Sequence, residues 1–413
     1  MPSIPPALEK LWPTRHHLLG LASLIACTAV LYGCLHHHHP QLLHIRPYET
    51  ALLLTLATAS ALLAKGLPWR HWRLGLYLLN LGVVGYVLVI DLRFAQLRAE
   101  LLTHPPVSVR NINQRLIVGF ESDEQAEALA RQGIAGLFIT RRNIEGLSFA
   151  EVQAKVARLQ ALRRATGQVP LIVTADQEGG VVSRLSPPLT ARPALSSLAM
   201  HPEGAKLAYA YGLEQGRELR ALGITVNFSP VVDLLPPSPP LPQDRHTKIA
   251  QRAVAADPRV VTRIAGAYVA GLQESGGSAV LKHFPGLQKV AADTHHFAAE
   301  LAIAPPDLME EDWLPFREIP AHSSAWIMVA HVTLSSIDPG TPASMSQPVI
   351  DHLLRNQLHF QGTLITDDLT MGAAYDRGFC NSVAAAYATS MDYLLISFDS
   401  DKYVDAVQCL MRQ

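Results

Sequence analysis

The 413-residue sequence predicts an α/β fold: a closed (β/α)8 TIM-like barrel preceded by an N-terminal transmembrane helical region. Three observations lead there. Residues 1–107 carry long uncharged apolar runs, whereas residues 108–413 alternate short branched-residue runs with longer helical patterns. The alternation repeats eight times, the number that closes a parallel sheet into a barrel. No glycine-rich dinucleotide fingerprint follows the first strand, which removes a reason to prefer an open doubly wound sheet.

In the N-terminal region, Leu18 to Leu35, Thr50 to Ala64 and Leu74 to Ile90 are apolar runs bounded by charged or polar residues. A hydrocarbon core of about 30 Å asks for about 20 apolar residues, with about 17 as a lower bound. The first and third runs meet it; the second needs interfacial Tyr48 or Pro68-Trp69 to complete a span. The competing reading is a cleaved signal peptide followed by buried helices. With the N-terminus inside, inner segments carry Lys10, Arg15, Lys65, Arg70 and Arg73, and outer ones Arg46, Arg93 and Arg98. That bias puts the barrel outside the cytoplasm, in a multi-pass protein of a bacterial inner membrane whose partner is the lipid bilayer. His36 to His39 read as a solvated loop, because four consecutive imidazoles cannot converge on one ion.

In the second region strands are expected at Leu116 to Phe120, Ala135 to Thr140, Leu171 to Thr174, Ile224 to Phe228, Ala279 to Lys282, Ala325 to Ala330, Thr363 to Thr366 and Tyr393 to Phe398. Helices are expected at Asp123 to Gln132, Ser148 to Thr166 and Lys206 to Leu222, then at 258–274, 308–322, 346–359, 382–391 and 401–411. The proline-rich segment Leu234 to Pro242 can be no regular element. It is a spacer or a wall of the barrel mouth.

Charge and cysteine content narrow the function class. The 34 basic and 35 acidic side chains leave a net charge of -1, which carries no nucleic-acid footprint. Cys27, Cys34, Cys380 and Cys409 show no metal-ligand spacing. Cys380 and Cys409 are expected to be two buried thiols, with a Cys380–Cys409 pair open if the compartment is oxidising.

Three expected strand ends carry clusters of polar residues: Asp176-Gln177-Glu178-Gly179-Gly180, Lys282-His283-Phe284-Pro285-Gly286 and Asp367-Asp368. In a barrel these fall on the C-terminal rim, where active sites lie. ADQEGGVVSRL at 175–185, LKHFPG at 281–286, DTH at 293–295 and ITDDLTMGAA at 365–374, with NFSPVVDL at 227–234 as a weaker block, resemble the signature blocks of family 3 glycoside hydrolases. They are most similar to the single-barrel β-N-acetylglucosaminidases, over about 110–413.

The resemblance implies retaining, exo-acting hydrolysis of terminal β-linked N-acetylglucosamine from peptidoglycan or chitin-type fragments, with no cofactor and no metal. Asp367 matches the nucleophile that forms a covalent glycosyl-enzyme. His295, oriented by Asp293, matches the acid/base, with His296 a neighbouring rival. Asp176, Arg184, Arg252, Lys282 and His283 match positions that hold the sugar hydroxyls. Arg252 lies in a loosely matching block and also reads as a surface arginine before a helix; Asp368 is expected to cap the helix after Asp367. Leu287-Gln288 and Val181 depart from the family pattern. Two relatives of this chemistry remain open: a phosphorylase, since a neutral imidazole does not repel phosphate, and a membrane-held barrel that binds glycans without cleaving them. The chain stops after the eighth expected helix, so the acid/base is expected from the His–Asp pair and not from a second domain.

Overall fold

The computed structural model describes residues 15–35, 39–40, 46–65, 70–103, 105–237, 247–290 and 292–412. It comprises two compact units, Met1–Glu100 and Leu101–Gln413. Most of the expected polyhistidine loop and the second half of the proline-rich segment lie outside the described residues.

The second unit is built on β1 (Leu116–Val118), β2 (Gly136–Phe138), β3 (Ile172–Ala175), β4 (Gln177–Gly179), β5 (Val182–Ser183), β6 (Val226–Asn227), β7 (Ser278–Phe284), β8 (Ala299–Leu301), β9 (Trp326–Val329), β10 (Val332–Leu334), β11 (Leu364–Asp368) and β12 (Tyr393–Ile396). Eight of them close a barrel in the order β1-β12-β11-β9-β7-β6-β3-β2. Its strand pairs are parallel, with β1 closing on β12 through Leu116 and Leu394. These eight are the strands expected from the alternation. The two short extra sheets, β4–β5 and β8–β10, were not anticipated; both sit in loops above the barrel strands.

Ile117, Phe138, Val226, Phe228, Val280, Met328, Ile365 and Leu395 turn inward from the strands and fill the interior. Phe138 and Phe228 stack at 5.7 Å between ring centroids. Burying each such side chain contributes about 1.5–3 kcal/mol, and the interior is therefore a packed plug that leaves only the rim for chemistry.

The helices that follow the strands match expectation with three differences. The single helix expected over 308–322 breaks into Pro305–Met309 and Leu314–Glu318 plus a 3-10 turn at Pro320–His322. The break follows the prolines, which start helices but cannot continue them. The helix expected at 346–359 is a wide π-type helix, Pro348–Gln357, and the one expected at 382–391 runs from Phe379 to Ala388. Cys380 on that helix is joined to Cys409 on the last helix, Lys402–Met411, with Cα atoms 5.2 Å apart. The expectation of buried thiols there is overturned, because the two helices pack side by side and bring the cysteines within bridging distance.

Among the described residues the first unit contains three helices, α1 (Arg15–Leu35), α2 (Arg46–Ala64) and α3 (Arg70–Thr103). Val30, Cys34, Leu53, Ala57, Val83 and Val87 meet inside. Polar groups lie among them: Ser23 Oγ donates to Ser60 O at 2.9 Å, Ser60 Oγ to Ser23 O at 3.1 Å, and Asn80 Nδ2 to Ser60 Oγ at 3.1 Å. Leu21, Leu24, Ile25, Leu78, Leu81 and Leu88 face outward. Among the described residues only α3 is long and apolar enough to cross a membrane by length and composition, with a mean hydropathy of 1.8. The apolar stretches of α1 and α2 are shorter, Leu18–Cys34 and Tyr48–Ala64.

Candidate active site

The strand ends bring the predicted clusters to one rim. Asp176 follows β3, Lys282 and His283 lie in the last turn of β7, and Asp367 is in the end of β11. Lys282 Nζ, on a side chain only 3% exposed, donates to Asp176 Oδ1 at 2.6 Å and lies 2.8 Å from Glu178 Oε1. Arg252 Nε and Nη2 donate to the two oxygens of Glu178 at 2.9 and 2.7 Å. The result is an Asp–Lys–Glu–Arg chain of alternating charge. Burial alone would push the Glu178 carboxyl up, but Arg252 and Lys282 outweigh it and hold the group down at about 2. Arg252 is thus an enclosed, bidentate partner and not the surface residue that its local sequence allowed.

Why Glu178 is buried follows from the local backbone. β4 and β5 form a hairpin whose turn holds Gly179 at φ +95°, where a side chain would collide with Tyr211 Oη and Pro193 O. Glycine here lets the hairpin fold down and carry Glu178 inward. Arg184, just past the hairpin, is exposed, and among the described residues it pairs with no carboxylate.

His283 is fixed by Asp233, which follows β6. Asp233 Oδ2 accepts from the His283 backbone N at 3.0 Å and lies 2.7 Å from Nδ1, and its Oδ1 accepts from Leu287 N at 2.9 Å. The departure at Leu287 therefore falls where the main chain makes the contact, while Gln288 Nε2 donates to Leu235 O at 3.1 Å.

Asp367 is partly buried, and its Oδ1 accepts from Asp368 N at 2.8 Å. Burial acts to raise its carboxyl; the neighbouring imidazoles of His283, His331 and His295 and the Asp368 N–H together bring it below the ordinary carboxylate range. It is ionised at neutral pH. Asp368 was expected to cap a helix and does something different. It accepts from Thr370 N and Oγ1 and from Ser397 Oγ and Phe398 N at 2.7–2.9 Å, which ties the end of β11 to the end of β12. His331 donates from Nε2 to Asp368 O at 2.9 Å, since a carbonyl can only accept, and its Nδ1 lies 2.7 Å from Ser344 Oγ. Burial holds this imidazole below its ordinary pKa and keeps it neutral.

The segment Asp293-Thr294-His295 folds as a tight turn over the start of the segment after β11. Asp293 Oδ1 accepts from His295 N at 3.0 Å and lies 2.8 Å from His295 Nδ1. Gly372 N donates to His295 O at 2.8 Å and Ala373 N to Thr294 O at 3.2 Å. A Cβ at Gly372 would stand 2.7 Å from His296 O, so glycine permits the two backbones to meet. A carboxylate can only accept, hence Nδ1 of His295 carries the proton toward Asp293. The His295 side chain is 40% exposed while Asp293 is buried. His296, the rival, sets its ring edge-on to exposed Phe297.

Residues 90–411 match the family model described as the glycosyl hydrolase family 3 N terminal domain. The chain belongs to glycosyl hydrolase family 3. As a member it is a glycoside hydrolase, and its relatives carry concordant names. It is 32% identical over 290 residues to a beta-hexosaminidase of Pseudomonas aeruginosa, covering 70% of this chain and 82% of that one. Among solved structures, a family 3 beta-N-acetylglucosaminidase from Paenibacillus sp. str. FPU-7 superposes with a TM-score of 0.66 at 31% identity, covering 72% of this chain and 57% of that one. NagZ from Neisseria gonorrhoeae in complex with N-trifluoroacetyl-D-glucosamine gives 0.61 at 27% identity, covering 72% and 84%.

Within this family 3 barrel, sequence reasoning assigned no role to Glu178, Asp233, His331 or Thr247. Glu178 and Asp233 lie inside the quoted blocks at 175–185 and 227–234. The signal that could have raised them is an acidic residue at an apolar strand end, which needs a partner when buried. His331 stands in a plain apolar strand context and carried no such signal.

Proposed function

We propose that the protein is a membrane-tethered, retaining exo-β-N-acetylglucosaminidase that removes terminal β-linked N-acetylglucosamine from peptidoglycan or chitin-type fragments. In this reading Asp367 attacks the anomeric carbon and His295 Nε2 delivers the proton to the departing oxygen. Water then opens the glycosyl-enzyme with the same imidazole acting as base. Asp293 orients that ring. Asp176, Lys282, His283, Arg252 and Arg184 hold the sugar, directly or through the Glu178 and Asp233 carboxylates they contact.

One observation carries the reading. A carboxylate at a strand end lies within electrostatic reach of an imidazole whose Nδ1 is turned to an aspartate, on a turn hydrogen-bonded to the residues just beyond that carboxylate. The names of the solved relatives point to the N-acylated sugar, and that of the Pseudomonas aeruginosa relative to a hexosamine.

The membrane part of the proposal rests on the three-helix unit, whose leucines face outward while two serines and an asparagine hydrogen-bond to one another among its inner apolar residues. Placing residues 1–107 in a bacterial inner membrane and residues 108–413 outside the cytoplasm also agrees with the Cys380–Cys409 bridge, because such bonds persist in oxidising compartments.

The test is a panel of aryl glycosides offered to the purified full-length chain. Nitrophenol release from the N-acetylglucosaminide, far above the glucoside and xyloside and abolished in Asp367→Asn, is expected. Release that survives in Asp367→Asn removes that residue from its role. For the membrane arm, the chain is expected in the carbonate-washed membrane fraction, with the barrel open to added protease from the periplasmic side.

A further inference from the structure

Thr247 stands between the ion-pair chain and the His–Asp turn and belongs to neither. It is buried, at 7% exposure. Its carbonyl accepts from Arg252 Nη1 at 2.8 Å, on the same guanidinium that grips Glu178. Its hydroxyl donates to Asp293 Oδ1 at 3.0 Å, the oxygen that also takes His295 N and faces His295 Nδ1. A single residue thus links Lys282–Glu178–Arg252 on one side to Asp293–His295 on the other, through its main chain and its side chain respectively.

We propose that Thr247 is a positioning residue that aligns the proton-donating imidazole by fixing its aspartate, and that it ties this alignment to the sugar-holding ion pairs. The physical argument is about rotation. An aspartate carboxylate turns about its terminal bond over a broad, shallow well, so the two contacts to His295, both on Oδ1, do not by themselves define the ring plane. A second donor from a different direction does. Arg252 in turn fixes where that donor sits, because its bond to the Thr247 carbonyl holds the backbone from which the hydroxyl projects. Removing the hydroxyl takes away one of the three donors that Oδ1 meets, the one that comes from outside the His295 turn, and the carboxylate is then free to turn with that turn. The His295 ring then follows it away from the line to the glycosidic oxygen, and a small misplacement of a proton donor is costly in rate.

This inference rests on His295 being the acid, and the experiment separates the two claims. Proton delivery matters for a sugar leaving group and hardly at all for dinitrophenolate, which departs without one. The comparison is kcat/KM, which reports the glycosylation step, for N,N′-diacetylchitobiose and for the dinitrophenyl N-acetylglucosaminide, using full-length wild type, Thr247→Val and Thr247→Ser. Thr247→Val keeps the shape and deletes the hydroxyl; Thr247→Ser keeps the hydroxyl. We expect Thr247→Val to lose about 10-fold or more on the disaccharide and less than about 2-fold on the dinitrophenyl substrate. Thr247→Ser is expected within about 3-fold of wild type on both, and inhibition by free N-acetylglucosamine is expected unchanged. Equal losses on the two substrates, or weakened inhibition by the sugar, would show a general structural role and overturn the inference. So would a Thr247→Val enzyme equal to wild type on both. A His295→Ala enzyme with no leaving-group split, beside an active wild type, removes the underlying acid assignment instead. A wild type inactive on both substrates removes both claims.

Discussion

Glutamate at 178 offers the sharpest quantitative test of how the site is held. Its carboxylate is 6% exposed and shared between Lys282 and Arg252. Replacing it with glutamine keeps the shape, leaves Arg252 with a neutral partner and leaves Lys282 with Asp176 alone. Two routes give the size of the effect. Deleting one member of a buried ion pair typically costs about 3–5 kcal/mol. Independently, the group is held down from 4.5 to about 2 in the folded chain; at about 1.4 kcal/mol per unit this amounts to about 3 kcal/mol at neutral pH. The sign is definite. A depressed carboxyl stabilises the fold above its unfolded pKa, and that contribution fades as pH falls toward the folded value. The difference between wild type and Glu178→Gln should therefore be about 3 kcal/mol at pH 7 and about half that at pH 3. Urea unfolding of both full-length proteins at the two pH values, followed by the fluorescence of fully buried Trp313, measures it. A difference below about 1 kcal/mol at pH 7, or one equal at both pH values, refutes the account of Glu178 as an ionised, paired residue.

Further predictions concern the chemistry and the frame. Asp367→Asn should reduce kcat/KM by about 10000-fold or more without lowering the urea midpoint by much, because it deletes the attacking group and leaves packing intact; activity within 10-fold of wild type would contradict it. Since Asp367 is held below the ordinary carboxylate range, the acid limb of kcat/KM that it sets should fall below that of a free aspartate, and a limb assigned to this group at or above the free value would contradict it. Gly372→Ala should displace the His295 turn, lowering disaccharide hydrolysis by about 10-fold or more, as a Cβ there meets His296 O at 2.7 Å. The Cys380–Cys409 bridge closes a loop of sequence separation 29, so the double serine variant should lose about 3–4 kcal/mol of stability on chain-entropy grounds, read as a lower urea midpoint.

Barrel and rim were legible in the chain alone, for different reasons. The eight strands are short apolar runs rich in Ile, Val and Leu, such as Leu364-Ile365-Thr366 and Tyr393-Leu394-Leu395-Ile396. That local pattern dictates pairing because burial on both faces admits little else. Asp176, Lys282 and Asp367 were legible because charge at the end of such a run is a local anomaly. Helix 308–322 was misread for the opposite reason, since Pro315 and Pro320 punctuate a segment whose apolar spacing still resembles a helix.

The order of residues along the chain was enough to specify a parallel barrel with its acidic and basic groups on one edge, because periodicity and propensity act over a few neighbours. Which of those groups touch was beyond it. Glu178 meets Arg252 across 74 positions, Asp233 meets His283 across 50, and Cys380 finds Cys409 across 29. Distances of that kind are set when strands close into a ring and helices settle against it. Electrostatic and covalent partners follow from that closure, since pairing energies depend steeply on separations that no stretch of neighbouring residues encodes.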